Sequence, residues 1–352
     1  MQNHRSKLFA ILAALPVSLL GLSLSASAVT WTGLGADGLF STTANWDNDP
    51  VGVVGGEALV LGIDGGPAPH YFAPDLGGPF LTPSITFLSG ATAYLMQGAT
   101  ASDELTITST GTAILNQSSN RQTSNLLNIN VGVSTQTWDG GAGGLSIYGI
   151  DLGNNRSLTL TGTGASVGSR NEITFGIVGT GLSGGVVKQG AGTLLYSGVN
   201  TYTGSTRVSA GTLLLGANER ILNTSNVILD GGTLNTGGFD ETVGKLSLTN
   251  FSTIDFGAGN TSDLVFSLSS DQAWGAFTLN ITNFNVGLDT LRFGTNSSGL
   301  TAAQLSTNIR FNGTTAGQID SSGFVTAVPE PSSVFLIGLG LASLFARRRS
   351  GR

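Results

Sequence analysis

Residues 185–213 read GVVKQGAGTLLYSGVNTYTGSTRVSAGTL and contain the clearest internal repeat of the chain. The triplet Gly-Thr-Leu occurs in it at 192–194 and 211–213, and it returns at 232–234, so its glycines are 19 and 21 residues apart. A period near 20, with one short strand per element, predicts a β-solenoid in which each coil stacks on the coil before it. We expect the glycine to turn the chain at a corner and the leucines to alternate into the interior.

Short runs of alternating apolar and polar residues lie on both sides of this repeat, and each is bounded by Gly, Asn or Ser. Such runs predict half-buried strands at 85–87, 105–108, 145–148, 158–161, 264–266, 277–281 and 291–293. A segment at 63–83 holds five of the nine prolines, which predicts a loop and confines any strand there to an edge. Thr301 is a candidate N-cap for a short helix that runs on to Leu305.

The N-terminus has the three parts of a secretory signal. His4, Arg5 and Lys7 form a basic flank, residues 8–24 are apolar, and Ala26-Ser27-Ala28 suits signal peptidase. We predict cleavage after Ala28. A buried hydrophobic helix and an uncleaved anchor are the alternatives.

The C-terminus carries a second signal of opposite polarity. Pro329-Glu330-Pro331 precedes an apolar run at 334–346, and Arg347-Arg348-Arg349 follows it. As a helix this run is only about 20 Å long, against a bilayer core of about 30 Å. The arginines predict a cytoplasmic stop that holds the body outside the inner membrane. A short apolar tail with a fixed motif on its outer side is typical of a sorting signal that is cut after export. A plain C-terminal anchor is the alternative.

The C-terminal signal and the central repeat each resemble a known family. The Pro329-Glu330-Pro331 motif, the apolar run and the terminal arginines resemble the PEP-CTERM sorting domain of Gram-negative bacteria. That resemblance implies processing by exosortase, a membrane-embedded cysteine protease. Residues 185–213 resemble the autotransporter-associated β-strand repeat, with Tyr196 where the family usually has Leu. This resemblance implies a right-handed parallel β-helix like those of secreted passenger domains, and it does not imply self-transport.

Composition excludes several classes of function. Between Val29 and Val328 the chain has nine basic and twenty acidic side chains, a net charge of −11, which argues against nucleic-acid binding. Cysteine is absent, so disulfides, thiol nucleophiles and thiolate metal sites are excluded. His70 is the one histidine beyond the signal, and we expect it to be a solvated residue of the Pro/Gly loop. We predict no cofactor and no bound metal.

Parallel β-helices include polysaccharide-cleaving enzymes, so candidate catalytic carboxylates were sought. The candidate pairs are Asp47/Asp49, Asp103/Glu104 and Asp240/Glu241. Neighbouring residues of a strand point to opposite faces, so the last two pairs cannot form the dyad of a glycosidase. Asp47, Asn48 and Asp49 are candidate calcium ligands, but solvated turn residues are the simpler interpretation.

Four tryptophans, at positions 31, 46, 138 and 274, are able either to stack on sugars or to pack in the core, and we expect packing.

The sequence therefore predicts an all-β chain, a right-handed parallel β-helix with an N-terminal signal helix and a short C-terminal transmembrane sorting helix. The predicted segments are a signal peptide (1–28), an N-terminal β/loop segment (29–83), β-strand repeats (84–183), the autotransporter-associated repeat region (184–260), a C-terminal β/cap segment (261–328) and the sorting signal (329–352).

The predicted function is that of an exported, exosortase-sorted structural or adhesive protein without catalytic activity. It is transiently anchored in the inner membrane and then lies at the cell surface or outside the cell. A displayed β-helix that binds or cleaves polysaccharide is the alternative. The expected partners are signal peptidase, exosortase and the inner membrane, with exopolysaccharide as a candidate and no nucleic acid.

Overall fold

The computed structural model describes residues 28–329, apart from residue 36 and the segments 48–55, 63–69, 74, 76–79, 99–102, 182–183 and 260. The first fifteen strands are β1 (Ala28–Trp31), β2 (Trp46–Asp47), β3 (Ala58–Leu61), β4 (His70–Phe72), β5 (Phe80–Thr82), β6 (Ile85–Phe87), β7 (Tyr94–Gln97), β8 (Asp103–Ile107), β9 (Gly111–Asn116), β10 (Gln122–Asn125), β11 (Leu127–Val131), β12 (Thr135–Asp139), β13 (Leu145–Asn154), β14 (Ser157–Thr161) and β15 (Asn171–Thr180).

The remaining strands complete the described chain. They are β16 (Gly185–Lys188), β17 (Thr193–Tyr196), β18 (Ser205–Val208), β19 (Thr212–Leu215), β20 (Val227–Leu229), β21 (Thr233–Asn235), β22 (Glu241–Val243), β23 (Leu246–Leu248), β24 (Ser252–Asp255), β25 (Asp263–Phe266), β26 (Leu279–Thr282), β27 (Thr290–Phe293), β28 (Ile309–Phe311), β29 (Gly317–Ile319) and β30 (Val325–Ala327). The named helical elements within the described residues are a 3-10 turn (Thr43–Asn45) and a π-helical turn (Gln304–Asn308).

These strands build a parallel β-solenoid of about nine turns, which confirms the predicted all-β fold class. Within the described residues, an 11-stranded sheet from β2 to β23 forms one side. A 14-stranded sheet from β4 to β28 forms the second side, and its long strands β13 and β15 bend into a third. Towards the C-terminus the third side is a separate three-stranded sheet of β22, β25 and β27. The right-handed sense of the coil stays a prediction, and both predicted terminal helices lie outside the described residues.

The leucines of the repeat form a continuous column inside the solenoid. Leu194 pairs with Leu213, Leu213 with Leu234, and Leu234 with Ile254, one residue per coil. All four side chains are fully buried. Stacking like residues at the spacing of neighbouring strands, about 4.8 Å, lets each apolar side chain cover the next. The predicted inward alternation of the leucines is therefore confirmed.

The expectation of one strand per repeat was wrong. Each coil of the repeat carries two strands, for example β16 in the 11-stranded sheet and β17 in the 14-stranded sheet. Two are needed because each coil contributes one strand to each of these sheets. The second strand has a weak sequence signal, since Gly185–Lys188 is buried at three of its four positions and shows no alternation.

The third side of the repeat coils is held by side chains rather than by regular strands. The Asn200 Oδ1 atom accepts a hydrogen bond from the Ile177 N–H at 2.8 Å, and its Nδ2 donates to the Arg220 carbonyl at 2.7 Å. The side chain of Asn200 is buried and so bridges the coil before it and the coil after it. This amide satisfies backbone groups that an irregular segment would otherwise leave unpaired.

Both ends of the solenoid are covered. At the N-terminal end β2 pairs antiparallel with β1, and the Trp31 and Trp46 rings meet edge to face at 4.9 Å. At the C-terminal end the Trp274 Nε1 atom donates to the carbonyl of Leu246 in β23, the last strand of the 11-stranded sheet. The antiparallel hairpin of β29 and β30 closes the chain beside β27. Covered ends remove edges on which further strands could add.

The turn after Thr301 carries the predicted cap. The Thr301 Oγ1 atom accepts a hydrogen bond from the Gln304 N–H at 3.1 Å, and the Gln304 Oε1 atom accepts one from the Thr301 N–H at 2.7 Å. This reciprocal pair is a capping box. The helix is short and continues as the π-helical turn.

The proline-rich segment departs from its prediction in part. The expected loop at 63–83 contains β4 and β5, and His70 lies in β4 paired with Tyr94 instead of in a loop. Pairing of β4 with β7 and of β5 with β8 overrides the local preference of Pro and Gly for a loop. Both strands lie at an end of the 14-stranded sheet, as the prolines predicted. The predicted segment boundaries at 83/84 and 183/184 fall between strands of one continuous sheet, and the division into segments stays a prediction.

Replacing Gly211 by alanine tests the corner of the repeat. Gly211 has φ +62°, and an added Cβ would lie 2.3 Å from the Gly192 carbonyl oxygen. We expect Gly211→Ala to lower the free energy of unfolding by about 2 kcal/mol or more, because both the backbone conformation and the close approach become unfavourable. Urea denaturation measures this, with Gly168→Ala as the control, since an added Cβ there meets nothing within 4 Å. Equal stability of the two variants would contradict the corner role.

Candidate functional surface

The predicted processing sites lie at the margins of the described chain. Ala28 is the first residue of β1 and pairs with Ala58, so cleavage after it would leave Val29–Trp31 in the sheet. Pro329 is exposed and follows the closing hairpin directly, since the Val328 N–H donates to the Ala316 carbonyl. Ala26, Glu330, Pro331 and the arginines at 347–349 lie outside the described residues. These sites stay predictions.

The candidate carboxylates do not converge. Asp240 is exposed whereas Glu241 is buried, so the two point to opposite faces as expected. Glu104 is exposed and accepts a hydrogen bond from Asn130 Nδ2 at 3.1 Å. Asp47 lies exposed on β2, and its candidate partners Asn48 and Asp49 lie outside the described residues. In the part of the chain that the structure describes, no three His, Asp or Glu side chains gather in a way that could hold a metal.

The four tryptophans are packed in the interior or at its ends. Their exposed fractions are at most 5%. Trp138 is fully buried and donates from Nε1 to the Gln136 Oε1 atom at 3.0 Å. The packing interpretation is therefore confirmed, and none of these rings is open to a sugar.

A buried lysine is the first functional group that sequence reasoning missed. Lys188 is 2% exposed and occupies the interior column between Leu160 and Val208. Its Nζ atom donates to the carbonyls of Gln189, Gly190 and Ala210 at 2.8, 2.8 and 3.0 Å, so it joins two successive corners. Burial lowers the pKa of Lys188 to about 8. The signal was available, because lysine occurs at a fixed position of the resembled repeat.

A buried carboxyl group, that of Glu241, makes similar hydrogen bonds between coils on the third side. The Glu241 Oε2 and Oε1 atoms accept hydrogen bonds from the N–H groups of Arg220 and Ile221 at 2.8 and 3.1 Å. Burial raises the pKa of Glu241 to about 8, although the two N–H groups favour the charged form. Glu241 therefore acts as a structural bridge between coils and not as half of a catalytic pair.

The departure from the repeat pattern at Tyr196 also has a structural role. Its ring is fully buried, and its hydroxyl lies 3.3 Å from the Tyr202 hydroxyl, which in turn lies 2.5 Å from Thr206 Oγ1. Burial raises the pKa of Tyr202 to about 12. The three hydroxyl groups satisfy one another inside a dry interior, where a leucine at position 196 would leave the Tyr202 hydroxyl one partner fewer.

Ion pairs on the outer surface tie coils together, either neighbouring coils or, for Arg121 and Glu172, coils that are two apart. Arg207 pairs with Asp230 at 2.8 Å and Arg121 with Glu172 at 2.6 Å, and Lys245 pairs with Asp271. Asp255 accepts hydrogen bonds from Asn235 at 3.0 Å and from Asn283 at 2.7 Å, one coil on either side. Partly exposed pairs of this kind add little stability individually, and they leave most outer carboxylates engaged with their neighbours.

An exposed aromatic pair lies on the outer surface of the middle coils. The Tyr148 and Phe175 rings stack with centroids 4.9 Å apart and planes inclined by 13°. Phe175 is 63% exposed, and Val199 on the next coil is 51% exposed. Phe175 points outward because the pairing of β13 with β15 shifts register between Ile147 and Gly149. Alternation by itself could not show this position, since a bulge changes the face of the residue that follows.

Comparison with known proteins agrees with these features. The passenger-associated-transport-repeat model matches residues 186–215, and the PEP-CTERM protein-sorting motif matches residues 327–349. The chain is similar to the adhesin BmaC autotransporter of Brucella suis biovar 1 (strain 1330), with 35% identity over 129 residues. That match covers 36% of this chain but only 4% of the adhesin. No solved structure matches the chain.

The chain therefore carries a passenger-type repeat and a PEP-CTERM sorting motif, which confirms both resemblances. The motif marks an exported protein that exosortase processes at the membrane. The matched families are a repeat and a sorting signal, and the similar protein is named an adhesin. Among the described residues, no helix is long and apolar enough to cross a bilayer.

Replacing Lys188 by methionine tests the buried ammonium group. The unfolded chain keeps the lysine proton up to a pKa of about 10.4, whereas the folded protein releases it near pH 8. Wild-type stability therefore rises relative to Lys188→Met between pH 8 and pH 10, by up to about 1.4 kcal/mol per pH unit. Denaturation of both proteins across this range measures the difference, in which the contributions of the buried tyrosines cancel. A constant difference would contradict the proton release.

Replacing Glu241 by glutamine tests the opposite titration. The folded protein binds a proton on Glu241 below pH 8, whereas the unfolded chain binds it only below about pH 4.3. Wild-type stability should therefore fall relative to Glu241→Gln as the pH rises from 5 to 7.5, by about 2–3 kcal/mol in total. Denaturation at pH 5 and at pH 7.5 measures this change in the free energy of unfolding. The matched control is Glu104→Gln at an exposed position, and we expect this variant to follow the wild type. If all three proteins changed in parallel, the buried titration would be refuted.

Proposed function

We propose that this chain is a structural or adhesive protein of the cell surface or extracellular matrix of a Gram-negative bacterium, sorted there by exosortase and without catalytic activity. In this proposal the signal peptide brings the chain across the inner membrane. The C-terminal tail then holds it there until exosortase cuts at or near Pro329-Glu330-Pro331. The released solenoid is the working part of the protein.

The exit of the chain at Pro329 is the observation that carries the proposal. The last coil is closed by the hairpin of β29 and β30, and the next described residue beyond Val328 is exposed. A protease can therefore approach the sorting motif without opening the solenoid, and the cut would leave no edge uncovered. About nine stacked coils at about 4.8 Å each make a rod about 40 Å long, which suits a spacer or scaffold.

The engagement of the carboxylates supports a non-catalytic role. Glu241 is buried against backbone N–H groups, Asp230 and Glu172 are paired with arginines, and Asp255 bridges two asparagines. A glycosidase needs two carboxyl groups held across one glycosidic bond, and no such pair occurs among the described candidates. Of the alternative function, polysaccharide binding keeps support from the exposed Tyr148–Phe175 pair, and exopolysaccharide is the proposed partner.

The intact mass of the protein from its host, with and without exosortase, tests the proposal. We expect the mature chain to begin at Val29 in both strains and to lose its tail at or near Pro329-Glu330-Pro331 only when exosortase is present. Pro329→Ala combined with Pro331→Ala should prevent the cut, whereas Pro83→Ala, outside the motif, should not. An uncut tail in both strains would refute the sorting pathway and leave a plain membrane anchor.

A further inference from the structure

Charge is distributed in three bands along the solenoid, because chain order follows the axis. Residues 29–120 contain eight acidic side chains and no lysine or arginine. Residues 121–220 contain six basic and four acidic side chains, and residues 221–328 contain three basic and eight acidic ones. Lys188 is buried, so five basic and four acidic side chains of the middle band lie outside the interior, and this is the one band of the three without a net negative charge.

Three arginines of this band meet on one outer face. Arg121 pairs with Glu172 at 2.6 Å, and the other Glu172 oxygen accepts a hydrogen bond from Ser197 Oγ at 2.7 Å. Arg220 Nη1 donates to the Ser197 carbonyl at 3.0 Å, and Arg170 is close enough to Glu172 to help lower the pKa of that carboxyl group. The Glu172 carboxylate therefore faces the two guanidinium groups of Arg121 and Arg170, one more positive than negative group, and Ser197 links it to Arg220.

Two of these guanidinium groups have unused hydrogen-bonding capacity. The Nε atoms of Arg170 and Arg121 are buried and have no hydrogen-bond partner. Among the described residues the Arg170 guanidinium makes no hydrogen bond at all, although its side chain is half-buried. Guanidinium groups offer several donors in a planar fork that matches a carboxylate. The buried Nε cannot be reached from outside, so an anionic group from outside the chain would pair with the two Nη groups of Arg170.

The aromatic pair lies close to these charges, because Phe175 is three residues after Glu172 in β15 and Tyr148 lies in the neighbouring strand β13. Tyr148 stacks on one face of the Phe175 ring, and Phe175 is 63% exposed next to Val199 of the following coil. The electron-rich face of an aromatic ring attracts the C–H groups of a sugar ring, as it attracts the positive edge of another ring. Phe175 lies five positions after Arg170, which immediately precedes β15, and an extended backbone of that length spans about 16 Å. A ligand that touches both is a chain of several rings.

We propose that this face, defined by Arg121, Arg170, Glu172, Arg220, Tyr148 and Phe175, binds an acidic polysaccharide. A sugar ring stacks on Phe175, and a carboxylate farther along the polymer pairs with Arg170. This inference rests on the proposed matrix function and adds the class of ligand and the site. A nucleic acid fits less well, because its closely spaced phosphates would require many more free basic side chains and would be repelled by the two acidic bands.

Titration calorimetry with polygalacturonate on the processed protein tests the site. We expect binding that weakens at least five-fold between 50 and 300 mM NaCl, since the contact with Arg170 is ionic. Arg170→Gln and Phe175→Ala should each weaken binding at least ten-fold. The controls are Arg310→Gln and Phe251→Ala, a half-buried arginine and a 60% exposed phenylalanine elsewhere on the surface, and both should bind within two-fold of the wild type. Thermal unfolding of all four variants confirms that they are folded.

Several outcomes would overturn the inference. They are equal binding of neutral dextran, tighter binding of a thymidine oligonucleotide, unchanged binding by both patch variants, and no binding of polygalacturonate at all. Retention in the cell matrix separates this result from the proposed function. If the wild-type protein stays in the matrix and the patch variants stay equally well, the site is wrong while the matrix role stands. If the wild-type protein itself is not retained, the matrix role fails.

Discussion

The hydrogen-bonded ladder between successive coils sets which residues can follow one another along the solenoid. A strand of one coil can pair only with its counterpart about 20 residues later, so each position meets the equivalent position of the next coil. An apolar residue must therefore follow an apolar residue, as in the column from Leu194 to Ile254. Burial of this column stabilises the fold, and the ladder satisfies the backbone groups that burial would otherwise leave unpaired.

Where the ladder is interrupted, polar side chains must replace it. Asn200 and Glu241 make the hydrogen bonds that strands would have made on the third side, and the Lys188 ammonium group donates to three carbonyl groups at two successive corners. Each of these groups is costly to bury alone and is retained because it has partners on two coils. The two ionisable members have pKa values displaced in opposite directions by the same desolvation. Their stability contributions are therefore linked to pH.

The same architecture frees the outer surface for function. Outward positions contribute little to the interior, so their charges can differ from one stretch of the axis to the next. The acidic N-terminal band, the positive middle band and the acidic C-terminal band follow directly from this arrangement. With the C-terminal end closed by a hairpin and attached to the sorting tail, an acidic, rod-like body can be exported, released and kept soluble by its own charge. A positive band with an exposed aromatic pair is then the natural place for a polymer to bind.

The sequence by itself determined the solenoid, because Gly-Thr-Leu repeats at a period that only stacked coils can use, and Gly211 has the conformation that such a corner requires. It also predicted the two terminal signals, the edge position of β4 and β5, and the packing of the tryptophans. Tertiary structure alone decided what lies between coils. It placed His70 in a strand, buried Lys188 and Glu241, and turned Phe175 outward at a bulge. The physical reason is that local pattern fixes the periodicity of a strand, whereas partners some 20 to 30 residues away decide which side chains replace a missing hydrogen bond and which come together on the surface.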